Sequence, residues 1–199
     1  MTLADKLTFF RISLTPIFFI FYQLPVWAPS WFKNGSVWTV PVIWLIYVIS
    51  EVTDLLDGFA ARKLNETSDL GKLLDPFADT LMQITCFLCF VLDGIFPAFL
   101  FLLVVYREFG ILLIRNLMLK KGISMGARIS GKLKTSFYVA AGGFALLAMG
   151  IQRSEFFTFI LDYVIIAANI VFAISVLISI VSFIDYLLFY KKTAENTHI

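Results

Sequence analysis

The chain has 199 residues, of which 60% are hydrophobic and 15% charged, with a formal net charge of +2 and a mean hydropathy of +0.89. Soluble domains carry roughly a quarter of their residues as charges, so a shell this poor in charge cannot cover so much apolar surface in water. A soluble enzyme and a nucleic-acid partner are thereby excluded, and the single histidine, His198, sets aside zinc hydrolysis, Ser-His-Asp catalysis and haem ligation.

The pattern predicts an all-α integral membrane protein. Six transmembrane helices are expected over roughly 9–27, 38–61, 70–92, 95–119, 133–151 and 156–190, with an N-terminal juxtamembrane segment before them. Six spans of about 20 residues use about 120 positions. Residues 1–199 therefore read as one membrane domain whose chemistry must come from the helices and their short connections. The first stretch carries Pro16 and Pro25 with no small-residue cleavage site after it, so it reads as a retained helix rather than a signal peptide. Trp27, Trp31, Trp38 and Trp44 bracket the first connection as an interfacial aromatic belt does. Cys86 and Cys89 lie in the apolar third stretch and read as packing residues. The fifth stretch contains Ala140, Ala141, Gly142 and Gly143, which permit close helix contact. The sixth is long enough to tilt, turn along the membrane or break. It carries Asp162 and Asp185, readable either as polar helix contacts or as part of a cavity.

Basic residues orient the chain. Of its 16 Lys and Arg, all but Lys33, Arg153 and the intrahelical Arg107 fall at the termini or in the second and fourth connections. By the positive-inside rule both termini are cytoplasmic, in a multi-pass protein of the cell membrane.

The most informative stretch is 50–80. Carboxylates in a lipid-embedded helix are expensive and mark function. Asp54 and Asp57 are three apart near the end of the second helix, and Asp75 and Asp79 four apart near the start of the third. Each spacing keeps its pair on one helical face, so the pairs can converge just inside the cytoplasmic boundary. Four convergent acids need a compensating cation. Oxygen ligands without histidine or thiolate point to Mg²⁺ or Mn²⁺, and four acids can hold two ions. Gly58 and Gly71 leave room for a bulky ligand, and Arg62 offers a fork for phosphate, which together make a cradle for a diphosphate. Glu66 and Asp69 read as rim charges. Glu51, one turn deeper than Asp54, reads equally as support for the acids or as a buried helix contact.

This stretch resembles the signature of the CDP-alcohol phosphotransferases, DxxDGxxARx₈GxxxDxxxD, matching at Asp54, Asp57, Gly58, Ala61, Arg62, Gly71, Asp75 and Asp79. The resemblance implies that Asp54, Asp57, Asp75 and Asp79 bind the metals, with Asp79 also the catalytic general base. It implies that Gly58, Ala61, Arg62 and Gly71 hold the CDP-lipid, CDP-diacylglycerol. The implied reaction is attack of an alcohol on the β-phosphorus with release of CMP, in a homodimer.

The acceptor side has its own residues. Arg107 and Glu108 lie within the fourth helix, Arg115 follows two turns on, and Lys132 and Lys134 open the fifth in GKLKT. Cations facing a membrane cavity suit an anionic alcohol. Arg128 has no assigned role. The region resembles the phosphatidylglycerophosphate synthase branch of the family, and so does the opening DKLTFFRISLTP with Thr8 and Arg11. That resemblance implies that Arg107, Arg115 and Lys132 hold the phosphate of glycerol 3-phosphate. Asp5, Thr80 and Tyr138 depart from the branch, where asparagine, lysine and glutamine are common. The alternatives are the same chemistry with inositol phosphate, serine or phosphatidylglycerol, or, in another class, a divalent-cation transporter. Transporters usually show internal repeats and a midplane site, and neither is visible.

Overall fold

A computed structural model describes residues 3–30, 36–64, 69–120 and 129–196. Among these the chain is helical, with no strand: α1 (Leu3–Trp27), α2 (Thr39–Leu64), α3 (Asp69–Leu92), α4 (Ala98–Lys120), α5 (Ile129–Ser154) and α6 (Leu161–Asn196). Helices are what apolar runs of this length must form in lipid, because the backbone then satisfies its own hydrogen bonds. Five are long and apolar enough to cross a membrane. α4 is 23 residues long, but Arg107, Glu108 and Arg115 lower its apolar character.

The region expected to hold the juxtamembrane segment is continuous with the first span, since α1 runs unbroken from Leu3 to Trp27. Pro16 lies inside this helix on its exposed side and does not end it. The sixth stretch breaks only at its beginning. Glu155 and Phe157 adopt φ of 57° and 60°, a 3₁₀ turn covers Thr158–Ile160, and α6 then runs on for 36 residues. At 1.5 Å per residue that is roughly 54 Å, well beyond a hydrocarbon core of about 30 Å.

α1 packs on α2 and α3, α4 on α3 and α6, and α5 on α6. The core is aromatic at its centre. Phe87 of α3 meets Phe96, Tyr138 and Phe172 edge-on at 5.6, 5.3 and 5.0 Å between ring centroids, and Phe96 stacks on Phe172 at 4.1 Å. Such ring pairs add about 0.5–1.5 kcal/mol each beyond their area. Here they join α3, α5 and α6 to the α3–α4 connection. Cys86 and Cys89 are buried, unbridged members of this core. Two glycines set helix separations: a Cβ on Gly110 would lie 2.8 Å from the Phe183 ring of α6, and one on Gly142 2.6 Å from the Tyr47 hydroxyl of α2.

One end of the bundle is tied by Arg153, the last-turn cation of α5. Its Nη1 donates to Thr39 Oγ1 and its Nη2 to the Tyr22 carbonyl, each at 2.9 Å. It also stands 3.7 Å from Asp93, which accepts a 2.6 Å bond from the Tyr22 hydroxyl. α1, α2, α5 and the α3–α4 connection thus meet at one guanidinium. Arg153→Met leaves Asp93 and the Tyr22 carbonyl short of a donor, and should cost about 2–4 kcal/mol. The loss is read as a lower thermal unfolding midpoint in detergent, and an unchanged midpoint would show that apolar packing alone holds this end.

Candidate active site

The other end is organised by α1. Thr8 and Arg11 are three apart and share a helical face. Thr8 donates to Asp75 Oδ1 at 2.5 Å. Arg11 Nη1 donates to Asp54 Oδ1 and to Asp79 Oδ1, each at 2.5 Å. The Arg11 side chain is 3% exposed, while those of Asp54 and Asp79 are 42% and 51% exposed. One buried cation therefore gathers half-open carboxylates from α2 and α3, and a residue on the same face holds a third. Gly71 is buried one turn before Asp75. Asp57, Gly58, Ala61 and Arg62 fall in the last turns of α2 and Lys132 in the first turn of α5, but their side chains lie outside the described residues. Glu66, Arg128 and Trp31 lie outside them altogether.

A cavity of about 230 Å³ opens between the helices, and all six contribute to its wall. α1 supplies Arg11, α2 Glu51 and Asp54, and α3 Asp79. α4 supplies Arg107, Glu108 and Arg115, α5 Lys134, and α6 Tyr186. Acids thus come mainly from α2 and α3, and cations from α4 and α5.

Behind the cations lies a buried polar network. Glu108 Oε1 accepts from Arg107 Nη1 and from Lys134 Nζ, each at 2.8 Å. Arg107 further donates from Nε to the Ser179 carbonyl at 3.2 Å and from Nη2 to Ser182 Oγ at 3.3 Å. Tyr138 donates to Ser179 Oγ at 3.0 Å, and the Lys134 ammonium sits 4.6 Å from the Tyr138 ring centroid. A network this dry holds together only when its members are satisfied. Arg107 is thus engaged on all three of its nitrogens. Arg115 differs: its Nη2 reaches the Tyr186 hydroxyl at 3.4 Å, while its buried Nε has no hydrogen-bond partner.

Of the two acids left open in the sixth stretch, Asp162 is exposed in the first turn of α6, beside the Arg153 end and away from the cavity. Asp185 is part-buried and does not line the cavity.

Two contributors, Arg11 and Thr8, are missing from the sequence-based set of site residues. They look like flanking residues until α1 is seen to pack on α2 and α3 with that face inward. Lys134, one of the acceptor-side cations of GKLKT, heads a buried stripe with Tyr138, Ala141 and Ala145, while Leu133 and Thr135 are exposed. The three departures from the branch pattern are all inside. Asp5, Thr80 and Tyr138 are 3%, 7% and 1% exposed.

The donor set at the acid end is all oxygen, and two carboxylate oxygens already converge on one cationic nitrogen. Such a set fits a hard divalent cation. Among the described residues no three acids close on a single point, and Asp57 is outside that test.

The cavity thus gathers carboxylates mainly from α2 and α3 and cations mainly from α4 and α5, the residues an enzyme of charged substrates requires. The model of the CDP-alcohol phosphatidyltransferase family matches residues 1–185. The CDP-diacylglycerol–glycerol-3-phosphate 3-phosphatidyltransferase of Treponema pallidum is 36% identical over 194 residues, covering 94% of this chain and 88% of the relative. Proteins of the same name from Bacillus subtilis and Haemophilus influenzae are 33% and 31% identical. They cover 73% and 91% of this chain, and 76% and 89% of their own lengths are matched. The chain belongs to the CDP-alcohol phosphatidyltransferase family, a family of transferase enzymes.

Arg11→Met would leave Asp54 and Asp79 facing each other without their bridge. Because both acids are about half exposed, water screens them, and the expected cost is about 1–2 kcal/mol rather than that of a fully buried pair. Thermal unfolding with chelator present measures it, and no loss would place the hold on α1 elsewhere.

Proposed function

We propose that this enzyme transfers the phosphatidyl group of CDP-diacylglycerol to glycerol 3-phosphate, releasing CMP, in phospholipid biosynthesis. The observation that carries the reading is a cavity in which acids from α2 and α3 face the same space as Arg107, Arg115 and Lys134. The names of the relatives support the same acceptor.

Asp54, Asp57, Asp75 and Asp79 hold two divalent cations, Mg²⁺ or Mn²⁺. Ions held there would supply the positive charge that neutralises a diphosphate and a departing phosphate. Gly58, Ala61, Arg62 and Gly71 hold the CDP part of the donor. Arg115 and Lys134, with Arg107 and Lys132, take the phosphate of the acceptor. This places the acceptor's primary hydroxyl toward Asp79. As the hydroxyl oxygen bonds to the β-phosphorus, its proton passes to the Asp79 carboxylate. The bond from that phosphorus to the bridging oxygen breaks, and CMP leaves with the electron pair.

In this reading α4 is a sixth span, and its charges are compensated within the bundle rather than by lipid. The distribution of Lys and Arg supports cytoplasmic termini and a site at the cytoplasmic face of the cell membrane. There the donor can arrive sideways from the bilayer and the acceptor from water. The family resemblance supports a homodimer.

The test is CMP release by purified protein with CDP-diacylglycerol and each candidate acceptor. Glycerol 3-phosphate with Mg²⁺ or Mn²⁺ should give turnover, and chelation should abolish it. Turnover only with inositol phosphate, serine or phosphatidylglycerol would replace the acceptor while keeping the chemistry.

Two variants separate the roles. Asp79→Asn should lower kcat by about 10²–10⁴-fold, the range for a lost general base, while CDP-diacylglycerol still binds. Arg115→Gln should act mainly on the KM for glycerol 3-phosphate, by about tenfold, as loss of a charge-assisted phosphate contact does. An unchanged acceptor KM would move the phosphate pocket elsewhere.

A further inference from the structure

Four carboxylates line the cavity: Glu51, Asp54, Asp79 and Glu108. Asp54 and Asp79 accept from Arg11, and Glu108 from Arg107 and Lys134. Glu51 alone of the four makes no hydrogen bond or ion pair with another described residue. It is part-buried on α2, one turn from Asp54 on the same face. It is not one of the eight residues of the family signature, and the reaction as written above does not use it.

Its carboxylate lines the cavity and is not taken up by a hydrogen bond to a described residue, so a ligand in the cavity can bring donors to it. A carboxylate oxygen accepts from hydroxyl groups, whereas phosphate oxygens offer it no such donor. Phosphate is drawn instead to Arg115 and Lys134. An acceptor anchored there presents its hydroxyl end to the acids of α2 and α3. Glycerol 3-phosphate has two hydroxyls at that end. The primary one attacks the donor, and the secondary one has as yet no partner in the site.

We propose that Glu51 is a specificity-determining residue that accepts a hydrogen bond from the secondary hydroxyl of the acceptor, selecting a phosphorylated vicinal diol over a phosphorylated simple alcohol. This rests on the acceptor reading above. It adds a contact that distinguishes the two hydroxyls, with Asp79 for one and Glu51 for the other.

The experiment compares CMP release with glycerol 3-phosphate and with 3-hydroxypropyl phosphate, which keeps the phosphate and the primary hydroxyl and lacks only the secondary one. Wild-type enzyme should prefer glycerol 3-phosphate by at least about thirtyfold in kcat/KM, because a site built around a substrate hydroxyl rejects the analogue without it. Glu51→Leu, of similar volume and without charge, should bring the ratio below about threefold by slowing glycerol 3-phosphate alone. Glu51→Gln keeps an acceptor oxygen and should give an intermediate ratio, and it decides the matter if the Leu variant does not fold. A ratio unchanged by either substitution overturns the proposal, as does an equal loss with both acceptors, which is what a structural role would produce. Failure of the underlying reading has a different signature: wild-type enzyme releases no CMP with either compound.

Discussion

A guanidinium buried between carboxylates of two different helices governs the geometry of the reaction end. Charges at this depth have to find their counterparts within the protein, since lipid offers none. Arg11 supplies that counterpart to Asp54 and Asp79 at once, with Thr8 holding Asp75 one turn away. Helix α1 is therefore more than a membrane anchor. Its rotation and depth relative to α2 and α3 are set by where those acids stand, and the acids in turn stay together because α1 is there.

The two ends of the bundle use the same chemistry differently. Around Arg153 the partners are backbone carbonyl, hydroxyl, aspartate and the Tyr22 ring, 4.5 Å from the guanidinium, and the cluster closes on itself. At the reaction end the acids stay half exposed and the wall opens into a cavity. The aromatic contacts between Phe87, Phe96, Tyr138 and Phe172 lie between them. Among the described residues, the cavity at the open end brings polar groups of all six helices together.

The helices were legible in the sequence because apolar runs of membrane length have few other options. Their ends were less so: nothing in the composition shows that α1 continues back to Leu3, or that the chain reverses through left-handed residues at Glu155 and Phe157. The acids at 54, 75 and 79 stood out because carboxylates are rare in such surroundings. Their organiser did not, since an arginine near the end of a membrane protein's chain is an ordinary flanking charge. Lys134 was named on the acceptor side, but its ion pair with Glu108 was not legible. Its role depends on which face of α5 meets α4 and α6, and that is a tertiary fact. Arg107 and Arg115 both stood out as charges inside a helix. Only the contacts show that one is fully engaged by its neighbours while the other keeps a donor in reserve.

The polar stretch of α4 also bears on how the chain is made. Arg107 and Glu108 are adjacent, and the groups that satisfy them, Lys134, Ser179 and Ser182, belong to helices synthesised later. As the sixth span of the proposed reading, this segment would emerge with these charges and few of its eventual contacts, against a penalty of about 2.5–3.5 kcal/mol for a charge at the helix centre. Its position would then be conferred from downstream, by helices made after it.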